Sequence, residues 1–204
     1  MGISRRRFQM AVLTSMATGL GAGFPSSCRR ADAREPAIRQ FPSVERLRSS
    51  PPEVWKLVDL INEHRRRSGL AEIPLSPKLT AVAFLHAKDL AEKSPHKTHG
   101  SLHSWSLDSR WSGGAYRSDD MTTWHIMWDK PKEIAGYTGH GFEICAARVK
   151  DLTQAFEAWT DSRLHHDVIL NRGVWSDARW KWQAVGAVFH KGYACGWFGN
   201  QQDS

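Results

Sequence analysis

Ten histidines and three cysteines in 204 residues are the side chains with the widest chemical reach in this sequence. Imidazole and thiolate are common zinc ligands, and carboxylate oxygens also serve. Spacing decides which of them can converge. There is no His-Glu-x-x-His run. His165 and His166 are adjacent, so on a helix they diverge by about 100° and do not easily share one ion. His96, His99 and His103 have the three-and-four spacing of one helix face, but Pro95 and Gly100 interrupt it. His86 falls on an apolar face, which favours a core histidine with a satisfied hydrogen bond. No Cys-x-x-Cys pair exists, so a thiolate zinc site is not indicated. Ser162 stands three residues before His165, expected on one helix face, yet no Gly-x-Ser-x-Gly elbow accompanies it.

The elements that must carry these residues can be read from periodicity. Val54, Leu57, Val58 and Ile61 recur at helical spacing after Pro51-Pro52, predicting a helix that runs to about Ser68 and stops at Gly69. Ser76-Pro77 is an N-cap followed by proline at the first helical position. Leu79, Val82, Ala83, His86, Ala87 and Leu90 then line one face of a second helix. Residues 94–140 lack sustained periodicity, and we expect short helices and an ordered loop covering a cleft. Trp105, Trp111, Trp124 and Trp128 lie in that segment and are the candidate wall of an apolar groove. Val149, Leu152, Ala155, Phe156 and Trp159 predict a further amphipathic helix ending near Ser162. Gln183–Phe189 and Tyr193–Phe198 read as strands joined by His190-Lys191-Gly192, an antiparallel hairpin. Helices first and a hairpin last imply an α+β layered domain.

The first 28 residues differ from the rest. Ser4-Arg5-Arg6-Arg7-Phe8 precedes a modestly apolar run, Met10 to Phe24, too short and too rich in Gly, Ser and Thr to span a membrane. This resembles a twin-arginine export signal. Ser26-Ser27-Cys28 resembles a lipoprotein cleavage box with Pro25 where leucine is usual. Cys28 is therefore a candidate lipidation site and membrane tether, or a residue lost on cleavage nearby. Residues 29–52 are polar, rich in Arg and Ser, and carry four prolines, so they read as a tether to a single domain at 53–204. No transmembrane segment is expected in the mature protein. The net charge is +7; residues 1–28 hold three arginines and no acid, and the remainder carries +4. No basic stretch is interleaved with aromatics, which argues against nucleic acid as a partner.

With Cys28 set aside, Cys145 and Cys195 form a candidate disulfide in an oxidising compartment. It would close a loop of about 50 residues, worth on the order of 3–4 kcal/mol. Both sit in apolar segments, so two separate buried thiols fit equally well.

Five patterns in order resemble the CAP superfamily (SCP domain), whose members include cysteine-rich secretory and pathogenesis-related proteins. Leu60-Ile61-Asn62-Glu63-His64-Arg65 matches its opening helix with an Asn-x-x-Arg pattern. Ala83, His86, Ala87 and Leu90 match its second helix. Gly141-Phe142-Glu143-Ile144 stands where the family has Gly-Glu-Asn-Ile, or Gly-Tyr-Glu-Ile in a bacterial subgroup. Trp159-x-x-Ser162-x-x-His165 matches a bacterial Trp-x-x-Ser-Pro-x-His, and Val185-Gly186-Ala187-Val188 with Tyr193–Phe198 matches the closing hairpin. The resemblance covers Val54 to Gly199. It implies a three-layer α-β-α sandwich with a cleft holding two histidines and two acids. By position these are His103, His165 and Glu143, with Ser162 where the second acid would fall. The resemblance also implies binding of sterols or other lipids, with no general reaction. We therefore expect an exported protein, periplasmic, envelope-anchored or extracellular. It would act as a binding or interaction module for a small apolar ligand or an envelope component. The alternative is a zinc-dependent hydrolase, because His103 and His165 with Glu143 could hold zinc and leave its fourth position open.

Overall fold

The structure, a computed structural model, describes residues 36–203. The export signal, Cys28 and the start of the tether lie outside the described residues. In chain order the helices are α1 (Val44–Arg48), α2 (Lys56–Arg67), α3 (Pro77–Glu92), α4 (Pro95–His99), α5 (His125–Trp128), α6 (Lys130–Ala135), α7 (Leu152–Asp161) and α8 (Arg163–Ile169). The strands are β1 (Gly141–Ala147), β2 (Ala184–His190) and β3 (Tyr193–Gly199). No helix among the described residues is long and apolar enough to cross a membrane.

The three strands form an antiparallel sheet in the order β1-β3-β2, so the hairpin β2–β3 places β3 in the centre. Strand residues alternate between faces. Phe142, Ile144, Ala146, Val185, Ala187 and Phe198 project to one side, into a core shared with α2, α7 and α8. Cys145, Cys195, Trp197 and Val188 project to the other, into a core shared with α3 and the 102–137 segment. The sheet is the middle layer of an α-β-α sandwich.

Local chemistry fixes the helices that matter for the site. The Ser76 hydroxyl caps α3 by accepting from Leu79 N at 2.9 Å, with Pro77 next. Gly186 of β2 lies directly under the first turn of α3, and a Cβ there would collide with the backbone of Leu79 and Thr80. The missing side chain lets α3 settle on the sheet, with His86 facing β1 and β3. Asn62 donates to Ile73 O at 2.9 Å and accepts from Ile73 N at 2.8 Å. That pins a segment whose next residues bond β2 through Val185 N–Pro74 O (2.9 Å) and Ser76 N–Val185 O (2.8 Å). Arg65 donates to Ala71 O, Ile169 O and Asn171 Oδ1 at 2.6–2.9 Å, tying α2 to α8. The Asn-x-x-Arg pattern is thus a pair of architectural staples.

Two expectations change. Residues 36–52, read as a tether, are packed: Ala37 N and Ile38 N bond the carbonyls of Glu133 and Ile134, and Leu47 of α1 is buried in the core. Proline density hid a short helix whose N-cap, Ser43, accepts from Arg46 N at 3.2 Å. Periodicity also missed β1, because its residues are buried on both faces and do not alternate in polarity.

Candidate functional site

Glu143 lies fully inside, on the β1 face that meets α3. Both its carboxylate oxygens are committed. Oε1 makes a short contact with His86 Nδ1, and Oε2 accepts from His103 Nδ1 at 2.9 Å. His86 Nε2 donates to Ser104 O at 3.2 Å, and the ring stacks on Trp105 at 4.0 Å and 9°. A carbonyl and a carboxylate both accept, so both His86 nitrogens carry hydrogen and the ring is an imidazolium. Burial is the largest influence and opposes that charge, but Glu143 and Cys195 together outweigh it and raise the His86 pKa. Burial likewise opposes the Glu143 charge. His86 and His103 outweigh it and leave the carboxyl below its usual range. The loop holding His103 is tied to α3, since Ser106 N donates to Asp89 Oδ2 at 2.9 Å.

His165 and Ser162 stand apart from this network, lining an open groove of about 800 Å³. The groove follows the end of β1, with Cys145, Ala146, Ala147 and Arg148 on its floor, between α4 and the α7–α8 pair. His165 Nδ1 is buried without a hydrogen-bond partner. Burial first, then the nearby His103, pushes its pKa down to about 4, so the ring is neutral near pH 7. Ser162 is the joint between α7 and α8 (φ −84°, ψ 110°), so it does not share a helix face with His165 as expected. The tryptophan wall is also corrected. Trp105 and Trp111 are core residues, and no tryptophan lines this groove. These rings fill the interior between α3 and the long loop, where their area is worth most.

Cys145 and Cys195 are register partners on β1 and β3, with Sγ atoms 3.4 Å apart as free thiols. Cys145 faces both the groove and the Glu143 network. Among the described residues, the donor group compact enough for one ion is His86, Glu143, Cys145 and Cys195. It contains neither His103 nor His165. His103 instead meets Glu143 through the Nδ1 hydrogen bond, and His165 Nδ1 bonds neither of them. Sequence reasoning read His86 as a core residue, which it is, but gave no sign that its partner is Glu143, 57 residues away.

Residues 58–176 match the family model described as CAP, the cysteine-rich secretory protein family. A crystal structure of an extracellular protein containing an SCP domain from Bacillus anthracis is similar at 17% identity and TM-score 0.52. The match covers 80% of this chain and 45% of that one. A cysteine-rich secretory protein from Staphylococcus aureus aligns at 14% identity and TM-score 0.46, over 78% of this chain and 41% of that one. An outer surface protein from Borrelia burgdorferi aligns at 15% identity and TM-score 0.48, over 81% of this chain and all of that one. The chain thus spans less than half the length of the Bacillus and Staphylococcus structures. No curated protein matches the sequence.

Proposed function

The chain belongs to the cysteine-rich secretory protein (CAP) family, and from that premise we propose that it is an exported binding module. The groove ending at Ser162 and His165 would hold an amphiphilic ligand. One observation carries the reading: both oxygens of the one carboxylate at the site are occupied by imidazoles. A general base needs an oxygen within reach of a substrate proton. Both Glu143 oxygens face imidazoles in the interior, away from a substrate, and among the described residues no base is bonded to the Ser162 hydroxyl that would make it a nucleophile. The groove itself combines small or apolar residues (Leu102, Ala146, Ala147, Ala158) with two cations, Lys97 and Arg148. An apolar body with an anionic head suits that lining, and the neutral His165 ring in the groove wall offers a polar edge to orient it. Export is supported by the arginine-rich leader and by the extracellular description of the Bacillus protein. A lipid on Cys28 would hold the domain at a membrane surface.

Imidazole NMR of the full chain during titration with a dansyl-labelled fatty acid tests this. The His165 ring signals should shift saturably at one equivalent while those of His86 stay fixed. Unmoved His165 signals at saturating probe would refute the groove as the binding site.

A further inference from the structure

Four buried donors meet on the sheet face beneath α3. Glu143 and Cys145 are two residues apart on β1, Cys195 stands opposite Cys145 on β3, and His86 descends from α3. One ligand atom from each lies within 4.8 Å of the others, and all four residues are buried. A buried ion pair touching two thiols is an expensive way to fill a core position that apolar side chains could occupy. The surroundings are those of a prepared site. His86 is aimed by its Nε2–H bond to Ser104 O and by the Trp105 stack. Ser104 is itself fixed, its hydroxyl accepting from Tyr116 N at 3.0 Å. Glu143 is aimed by His103. Such outer bonds orient ligands and set the imidazole tautomer at metal centres. The groove reaches Cys145 and so provides an entry path.

We propose that Cys145, Cys195, His86 (through Nδ1) and Glu143 form a closed binding site for a divalent transition-metal ion, with zinc the best match. Two sulfurs, one nitrogen and one oxygen suit a borderline ion; magnesium and calcium take oxygen donors, and copper(I) has little use for the carboxylate. Tetrahedral Zn–S bonds would place the sulfurs about 3.8 Å apart. They stand at 3.4 Å, so loading opens them by a few tenths of an ångström. On binding, both thiols lose their protons, the His86 ring gives up its Nδ1 proton, and Glu143 stays a carboxylate. Three protons leave per ion, and a site of zero net charge becomes one of −1 beside His103. The site is separate from the groove residues His165 and Ser162. It competes with a Cys145–Cys195 disulfide, which would withdraw both sulfurs.

The test is an anaerobic cobalt(II) titration of the reduced full chain. The expected result is saturation at one equivalent with an intense sulfur-to-cobalt charge-transfer band, displaced by zinc. The band should fall by at least about half in Cys195→Ser, vanish in Cys145→Ser/Cys195→Ser and in disulfide-oxidised protein, and stay in His165→Ala. Because Cys195→Ser could misfold, thermal unfolding of the wild type gives a second reading: one equivalent of zinc should raise Tm by several degrees and a chelator should reverse it. The proposal is overturned by a reduced protein with no charge-transfer band, by an undiminished band in folded Cys195→Ser, or by a Tm indifferent to zinc. None of these outcomes bears on fatty-acid binding in the groove.

Discussion

Histidines in this protein are differentiated by what their ring nitrogens meet. His86 meets two acceptors and is held charged, whereas His165 is buried with an empty Nδ1 and is held neutral. His165 has a stability signature. An unfolded chain protonates this ring near pH 6.5, but the folded one does so only near pH 4. Acid therefore favours the unfolded state, and stability held above pH 6.5 declines from there toward pH 4. The loss should be about 2–3 kcal/mol. The Glu143 carboxyl faces the same region, but its pKa is lowered from 4.5, so its loss falls mostly below that pH. Urea unfolding of wild type and His165→Gln between pH 7 and 4.5 checks this: the variant's curve should be flatter, and parallel curves would contradict it. His86 reads in the sequence as a hydrogen-bonded core histidine, and the resemblance set Glu143 beside His103, which it meets, but neither joined His86 to Glu143. His86 and Glu143 meet through packing of α3 on β1, which spacing along the chain does not record.

At the scale of elements, the site depends on how closely α3 approaches the sheet. Gly186 sets that distance, because a Cβ would strike the backbone of Leu79 and Thr80, which cannot rotate away as a side chain could. Gly186→Ala should destabilise the protein by about 3 kcal/mol, the upper range for overpacking. It should also lift His86 away from Glu143. Chemical denaturation gives the first effect and the His86 ring signals the second; an unchanged midpoint would mean the helix has slack. Helices α2, α3 and α7 and the hairpin were legible because each has an apolar period and a recognisable cap or turn. β1 was not, since it is buried on both faces. Nor was the break at Ser162, which ends α7 and starts α8 with no glycine or proline to announce it.

For the whole molecule, the order of motifs along the chain carried more than composition did. Asn62 and Arg65, the Glu143 strand, His165 and the closing hairpin are scattered in sequence, yet their order pointed to the CAP fold that the family match shows. Composition misled in two places. Trp105, Trp111, Trp124 and Trp128 suggested a groove wall, but Trp105 and Trp111, with Trp159 and Trp197, are among the largest fully buried side chains. Polar, proline-rich residues suggested a tether up to 52, but Leu47 and the 36–38 segment anchor that stretch to the domain. The result is a three-layer domain in which one face of β1 holds a buried polar network and its end opens into a groove.

A ligand held in the groove is excluded by a side chain that fills it. Ala158 lines the groove on α7 and is only partly buried, so Ala158→Trp fills the space while leaving Glu143, His103 and His165 in place. Fluorescence titration of the full chain with a dansyl-labelled fatty acid should give saturable one-to-one binding for wild type. In the folded Ala158→Trp variant, binding should weaken at least about tenfold, about 1.4 kcal/mol. Absence of saturable binding to the wild type, or equal binding to the variant, would rule out the groove as the ligand site.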